Sequence, residues 1–258
     1  MSDRQGTGNA RRESPALRAQ PILALDVPSL AAARDLMARV GPQADFVKVG
    51  LELFTAEGPR VVEWLLNDGR RVFLDLKLHD IPTTVRGAAR SAASMGVSLL
   101  TVHAYGGADM IAAAVEGAGE GARGRAGSAD GGSATTGILA VTVLTSLDAD
   151  ALAASLGRDR LDVESEVLRL AASTAAVGAH GIVCSGHEVR RVRAAHPGLA
   201  PLVPGIRLAG GASHDQARIT TPERAAADGA AYLVLGRAIT AAPDPQATLA
   251  KVLESLQA

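Results

Sequence analysis

From residue 21 onward, short apolar runs alternate with longer segments in which apolar residues recur at helical spacing. That alternation is the pattern of repeated βα units. It predicts strands at 22–26, 45–50, 71–76, 98–103, 137–143, 180–184, 201–204 and 232–235. Eight strands separated by helical patterns favour a closed (β/α)8 barrel, the TIM-barrel arrangement, over an open doubly wound sheet. Ser29 stands where it can cap the first helix, and Pro82 where it can open the third. Gly41, Gly69 and Gly96 fall where helices should stop. The stretch 117–137, GAGEGARGRAGSADGGSATTG, reads as a mobile surface loop, too rich in Gly, Ala and Ser to pack a core. No second domain and no internal repeat is visible. The expectation is a mobile tail over 1–20 and one barrel domain over 21–258.

Composition narrows the function more than the fold. The 258 residues match the span of about 250 that one such barrel occupies. Hydrophobic residues make up 47% and aromatics only 2%, so the core must be built from Ala, Val, Leu and Ile. With 26 basic and 27 acidic residues the formal charge is -1, which supplies no global field for a nucleic acid. Any anion must be bound locally. The single cysteine, Cys184, excludes an internal disulfide and a Cys-rich metal site, and fits a reducing cytoplasm. Residues 1–20 lack the apolar centre of a secretory signal, Asp3 and Glu13 interrupt any transit-peptide pattern, and no membrane span is expected.

The informative feature is where polar residues sit. Asp26 ends the first predicted strand, Lys48 lies near the end of the second, and Asp75 and Lys77 end the third. His103, Thr145, Arg207 and Arg237 follow strands four, five, seven and eight. In a barrel these positions converge on the C-terminal face, where active sites are built. Taken singly, each has an ordinary reading. Lys48 alone is more readily a long side chain reaching solvent, Asp26 before Val27-Pro28 a turn residue, and Asp80 a helix starter before Pro82. Several together outweigh those readings. Asp75 and Lys77, two apart, share a strand face, with Asp80 in the loop beyond. That makes an acid-base-acid cluster rather than a metal cage, in which a cationic Lys77 can deliver a proton.

A second signal concerns phosphate. VPGIR puts Arg207 after strand seven, and LGRAIT puts Gly236 and Arg237 at the start of the last helix. Glycine permits close backbone approach, a helix start offers free N–H groups, and Arg supplies a bidentate donor. The ordinary alternative is a solvated Arg. His79 is read as a packing or hydrogen-bonding residue, His103 as a buried hydrogen-bonded one, Cys184 as a small core residue and Trp64 as a core or dimer packing residue.

The string DLKLHDIPTTV, with ALDVP before it and VPGIR, HDQARITTPE and LGRAIT after it, resembles the orotidine 5'-monophosphate decarboxylase family in order, from about Ile22 to about Leu256. The resemblance implies a cofactor-free and metal-free enzyme that converts orotidine 5'-monophosphate to UMP as a homodimer. It makes Lys77 the proton donor, with Lys48, Asp75 and Asp80 completing the charged network and Asp80 entering from the partner subunit. It assigns Asp26 and Lys48 to the ribose and Thr145 to the pyrimidine, and counts Asp75 and Thr84 as substrate contacts. Arg207, Gln216, Gly236 and Arg237 are assigned to the phosphate, under a lid over 208–220. Two alternatives compete: a Mg2+-dependent sugar-phosphate decarboxylase or aldolase on the same barrel, whose residues typically differ from IPTT, and an inactive ligand-binding barrel, which would be expected to lose Lys77 or Asp75.

Overall fold

The structure, a computed structural model, describes residues 19–126, 135–208 and 220–257. Eight parallel strands close into a barrel in chain order, the last pairing with the first. They are β1 (Gln20–Leu25), β2 (Phe46–Gly50), β3 (Arg71–Leu78), β4 (Leu99–His103), β5 (Gly137–Val141), β6 (Gly181–Val183), β7 (Ala200–Val203) and β8 (Tyr232–Leu235). The helices are α1 (Leu30–Val40), α2 (Leu51–Glu57), α3 (Pro59–Asn67), α4 (Pro82–Met95), α5 (Gly107–Ala126), α6 (Ala149–Ser155), α7 (Val163–Ala176), α8 (Val189–Ala195), α9 (Pro222–Ala227), α10 (Arg237–Thr240) and α11 (Pro245–Gln257).

The period of two along each strand divides the core. Ile22, Ala24, Phe46, Phe73, Leu99, Leu139, Val141, Val183, Leu202 and Val234 form one buried cluster inside the barrel. The residues between them, such as Leu23, Val47, Val72, Leu74 and Leu100, pack outward against the helices in a larger shell. Each fully buried Leu, Ile or Phe contributes about 1.5–3 kcal/mol, so reversing this parity in one strand would be costly. Two residues beyond the interior positions Ala24, Phe46, Phe73 and Leu99 stand Asp26, Lys48, Asp75 and Thr101. The same alternation that fills the barrel with carbon therefore tops it with polar groups.

Local chemistry places the helices. The Ser29 hydroxyl accepts from Ala32 N–H at 3.2 Å to start α1, and Gly41 and Gly96 close α1 and α4 at positive φ. Gly69, also at positive φ, follows the end of α3 at Asp68. Pro82 opens the fourth helix rather than the third, because Gly58-Pro59 divides the preceding helical segment in two. The first strand begins at Gln20 and Ala19 is already buried, so the barrel reaches into the expected tail, the rest of which lies outside the described residues.

The expected loop over 117–137 is corrected. Its first ten residues are the second half of α5, and Ala118 and Ala122 are buried. Glycine serves here as a close-contact surface rather than a hinge. A Cβ on Gly117 would lie 2.2 Å from the Arg86 carbonyl oxygen, and one on Gly121 2.3 Å from that of Arg90. The absence of those side chains lets α4 and α5 touch backbone to backbone, and Glu120 pairs with Arg86 and Arg90 across the seam. Residues 127–134 lie outside the described residues. Gly121→Ala is expected to lower stability by about 1–3 kcal/mol through overpacking. Gly124→Ala, with nothing within 4 Å, should instead raise it, by about 0.5–1 kcal/mol from helix propensity. Urea denaturation of the two variants checks this; equal shifts would mean that α5 does not approach α4 through Gly121.

Candidate active site

The end of β3 is irregular, and the site is built on that irregularity. Leu74 faces Leu100 of β4, whereas Leu78 faces Val102, so the offset between partners falls from 26 to 24 residues and β3 carries two extra residues. Lys77 sits in this bulge with φ 49, the one non-glycine residue at positive φ among those described. Such a conformation is uncommon for a residue with a side chain and costs about 1–3 kcal/mol. The bulge ends the simple alternation and sends Lys77 to the same cavity as Asp75.

Four charges then alternate along one edge. Lys48 Nζ donates to Asp26 Oδ1 at 2.7 Å and lies 3.8 Å from Asp75 Oδ2, and Lys77 Nζ donates to Asp75 Oδ1 at 2.8 Å. Lys48 is only 7% exposed, and a lysine so buried is normally paired. Gly50 makes room for it: a Cβ there would meet Lys48 Nζ at 3.0 Å and Asp26 Oδ1 at 3.3 Å. Each carboxylate already holds an ammonium group. Among the described residues, no three His, Cys, Asp or Glu side chains cluster as a metal site would require.

The β7–β8 side adds cations of a different kind. Gly205, at φ 71, turns the chain after Pro204, and Ile206 pairs with Thr220. Arg207 is thereby held nearly buried, its N–H donating to Thr220 O at 2.9 Å and its guanidinium to Ile206 O at 2.9 Å. Gly236 precedes α10 without a side-chain cap, and Arg237 is its first residue. Asp26, Lys48, Asp75, Lys77, Thr145, Arg207, Gly236 and Arg237 all line one cavity of about 310 Å3, floored by Ala24, Phe73, Val141 and Val234. An apolar floor rimmed by charge suits a flat ring bearing an anionic arm.

A family model described as orotidine 5'-phosphate decarboxylase / HUMPS matches residues 19–252, the whole of the barrel just described except its last turn. The chain belongs to this orotidine 5'-phosphate decarboxylase / HUMPS family. A protein of Anaeromyxobacter dehalogenans named orotidine 5'-phosphate decarboxylase is 52% identical over 235 residues, 90% of this chain and 96% of its own length. One of the same name from Moorella thermoacetica is 46% identical, over 92% of this chain and 91% of its own. Among solved structures, orotidine 5'-phosphate decarboxylase from Lactobacillus acidophilus superposes with a TM-score of 0.81 at 35% identity, covering 93% of this chain and 100% of that one.

Two candidates from the family-like motif do not reach this chain's cavity. Asp80 is exposed, its carboxylate accepting from the N–H of Ile81 at 2.6 Å, and Thr84 is exposed on the first turn of α4. Ile81, next in the chain to Asp80, is 65% exposed, unusual for a large apolar side chain. Gln216 and positions 209–219 of the expected lid lie outside the described residues. His79 and His103 stack at 5.6 Å next to the bulge. Burial, followed by repulsion from His79 and Lys77, holds His103 below its usual value, so it is a neutral packing group at neutral pH. The sequence reading missed Val143, Leu144, Ser146 and Pro204, which also line the cavity, and Thr101 beneath the charged row. For Thr101 the signal was present: it has the interior parity of Leu99.

Proposed function

We propose that this chain decarboxylates orotidine 5'-monophosphate to UMP, the last step of de novo UMP synthesis, with neither metal nor organic cofactor. The observation that carries the reading is the alternating row Asp26, Lys48, Asp75, Lys77 at one side of a cavity whose other cations are Arg207 and Arg237. The names of relatives that match over more than nine-tenths of their own length support the same reading.

The chemistry follows from the row. The bond between pyrimidine C6 and its carboxylate breaks, carbon dioxide leaves, and the electron pair stays on C6. Lys77 opposes that charge and then transfers an Nζ proton to C6, giving UMP. Asp75 aims Lys77 and puts negative charge near the departing carboxylate, which favours its loss over its return. Asp26 and Lys48 bind the ribose and Thr145 the pyrimidine. Arg207, Gln216, Gly236 and Arg237 hold the phosphate, whose binding energy helps to assemble the site. A cytoplasmic location suits a chain whose one cysteine is buried and has no second cysteine to pair with.

Asp80 and Thr84 belong to the neighbouring site of a homodimer in this reading. Support comes from their exposure outside their own cavity, in the same stretch of chain as the exposed Ile81. A two-fold interface makes the exchange reciprocal.

Purified protein is expected to convert orotidine 5'-monophosphate to UMP in EDTA, followed by absorbance. Activity that appears only with Mg2+ would favour the metal-dependent sugar-phosphate relative. In the same assay Lys77→Ala should lose turnover by about 10²-fold or more, as general acids contribute 10²–10⁴-fold, while still binding UMP. Retained turnover would remove Lys77 from the reaction. For the shared site, Lys77→Ala and Asp80→Ala homodimers should each be nearly inactive. A co-expressed, doubly tagged heterodimer contains one intact site and should recover about half the activity per dimer. A heterodimer as inactive as its parents would place Asp80 in the service of its own chain.

A further inference from the structure

The Asp75–Lys77 pair stands on a strained bulge, and one buried hydroxyl touches both ends of it. Thr101 of β4 is fully buried and does not line the cavity. Its hydroxyl donates to Asp75 Oδ1 at 2.9 Å and accepts from the backbone N–H of Lys77 at 2.9 Å. The register explains why one residue can do both. Before the bulge, β3 residues face β4 partners 26 positions on, which pairs Asp75 with Thr101; after it the offset is 24, which pairs Lys77 with Thr101. The two extra residues are looped out over a single side chain.

We propose that Thr101 is a positioning residue for the Asp75–Lys77 pair, its hydroxyl locking the bulged Lys77 backbone and one Asp75 oxygen so that the ammonium group is presented to the cavity at fixed height. A hydroxyl is suited to this because it donates one hydrogen bond while accepting another. Valine has the same shape and can do neither. Without the hydroxyl, the Lys77 N–H loses its partner and φ 49 loses the contact that holds it. Asp75 Oδ1 keeps only the Lys77 ammonium. The pair then swings as a unit. The proposed ribose and phosphate contacts lie on other residues, so turnover is disturbed more than substrate binding.

This inference rests on the proposed decarboxylation, but its test has a part that does not. Thr101→Val should lower kcat about 10- to 100-fold, the scale of a small misplacement of a reacting group. KM for orotidine 5'-monophosphate should stay within about threefold, because the binding contacts are intact. Thr101→Ser, which keeps both hydrogen bonds, should retain kcat within about threefold. Where Thr101→Val does not fold, Thr101→Ala replaces it as the variant without a hydroxyl. Independently of turnover, amide hydrogen exchange at Lys77 should quicken about tenfold or more in the hydroxyl-free variant and remain slow in Thr101→Ser. Wild-type kcat in Thr101→Val, equal losses in the valine and serine variants, or unchanged Lys77 exchange would each overturn the proposal. Wild-type protein that turned over no orotidine 5'-monophosphate would refute the proposed reaction instead and leave the exchange measurement to decide the role of Thr101.

Discussion

The Asp75 carboxylate is the contact on which the rest of the site depends. One oxygen accepts from Lys77 and Thr101, and the other faces Lys48, itself paired with Asp26. Removing that one negative charge would leave Lys77 without its carboxylate partner and Lys48, on a side chain only 9% exposed, with Asp26 alone. The row therefore holds together as a unit. It can exist only where a surrounding frame keeps water from relaxing it, and the closed barrel is that frame. Interior parity packs Ile22, Phe46, Phe73 and Leu99 below and leaves the next interior positions to carry charge or a hydroxyl.

The two ends of the cavity answer different physical demands. The β1–β3 edge supplies fixed charges whose separations are set by strand spacing and by one bulge. The β7–β8 edge supplies guanidinium groups on turns, with Arg207 anchored through its backbone to Thr220 and Arg237 opening a short helix. Rigid charge suits the reacting end of a substrate, where stabilisation must be in place before charge develops. Bidentate guanidinium donors suit a phosphate.

Most of the frame was legible in the sequence because parallel barrel strands are continuous apolar runs separated by capped helices. The β8 prediction matches its observed bounds, and Ser29, Gly41 and Gly96 act as read. Glycine-rich 117–126 was misjudged because composition does not distinguish glycine that loosens a chain from glycine that lets two helices touch. The distinction lies in what faces Gly117 and Gly121, and α4 supplies that only in three dimensions. The shared strand face of Asp75 and Lys77 came from a spacing of two, whereas the structure joins them through a bulge at positive φ, which no periodicity announces. Of the residues singled out for the site, those on strand ends meet in one cavity. Asp80 and Thr84, exposed beyond the bulge and on the first turn of α4, do not, and no spacing in the sequence separates them from the rest of the motif.

The proposed decarboxylation requires this cavity to be complementary to negative charge at pyrimidine C6 rather than to the neutral product. The most direct measurement is the ratio of affinities for UMP and for a UMP derivative bearing an oxyanion at C6, determined by calorimetry on wild-type protein and on Lys77→Ala. A site complementary to the developing charge should bind the anionic nucleotide at least about 10²-fold more tightly, as expected of a transition-state mimic. Loss of Lys77 should erase most of that preference. Equal affinity of the wild-type protein for the two nucleotides would contradict the account.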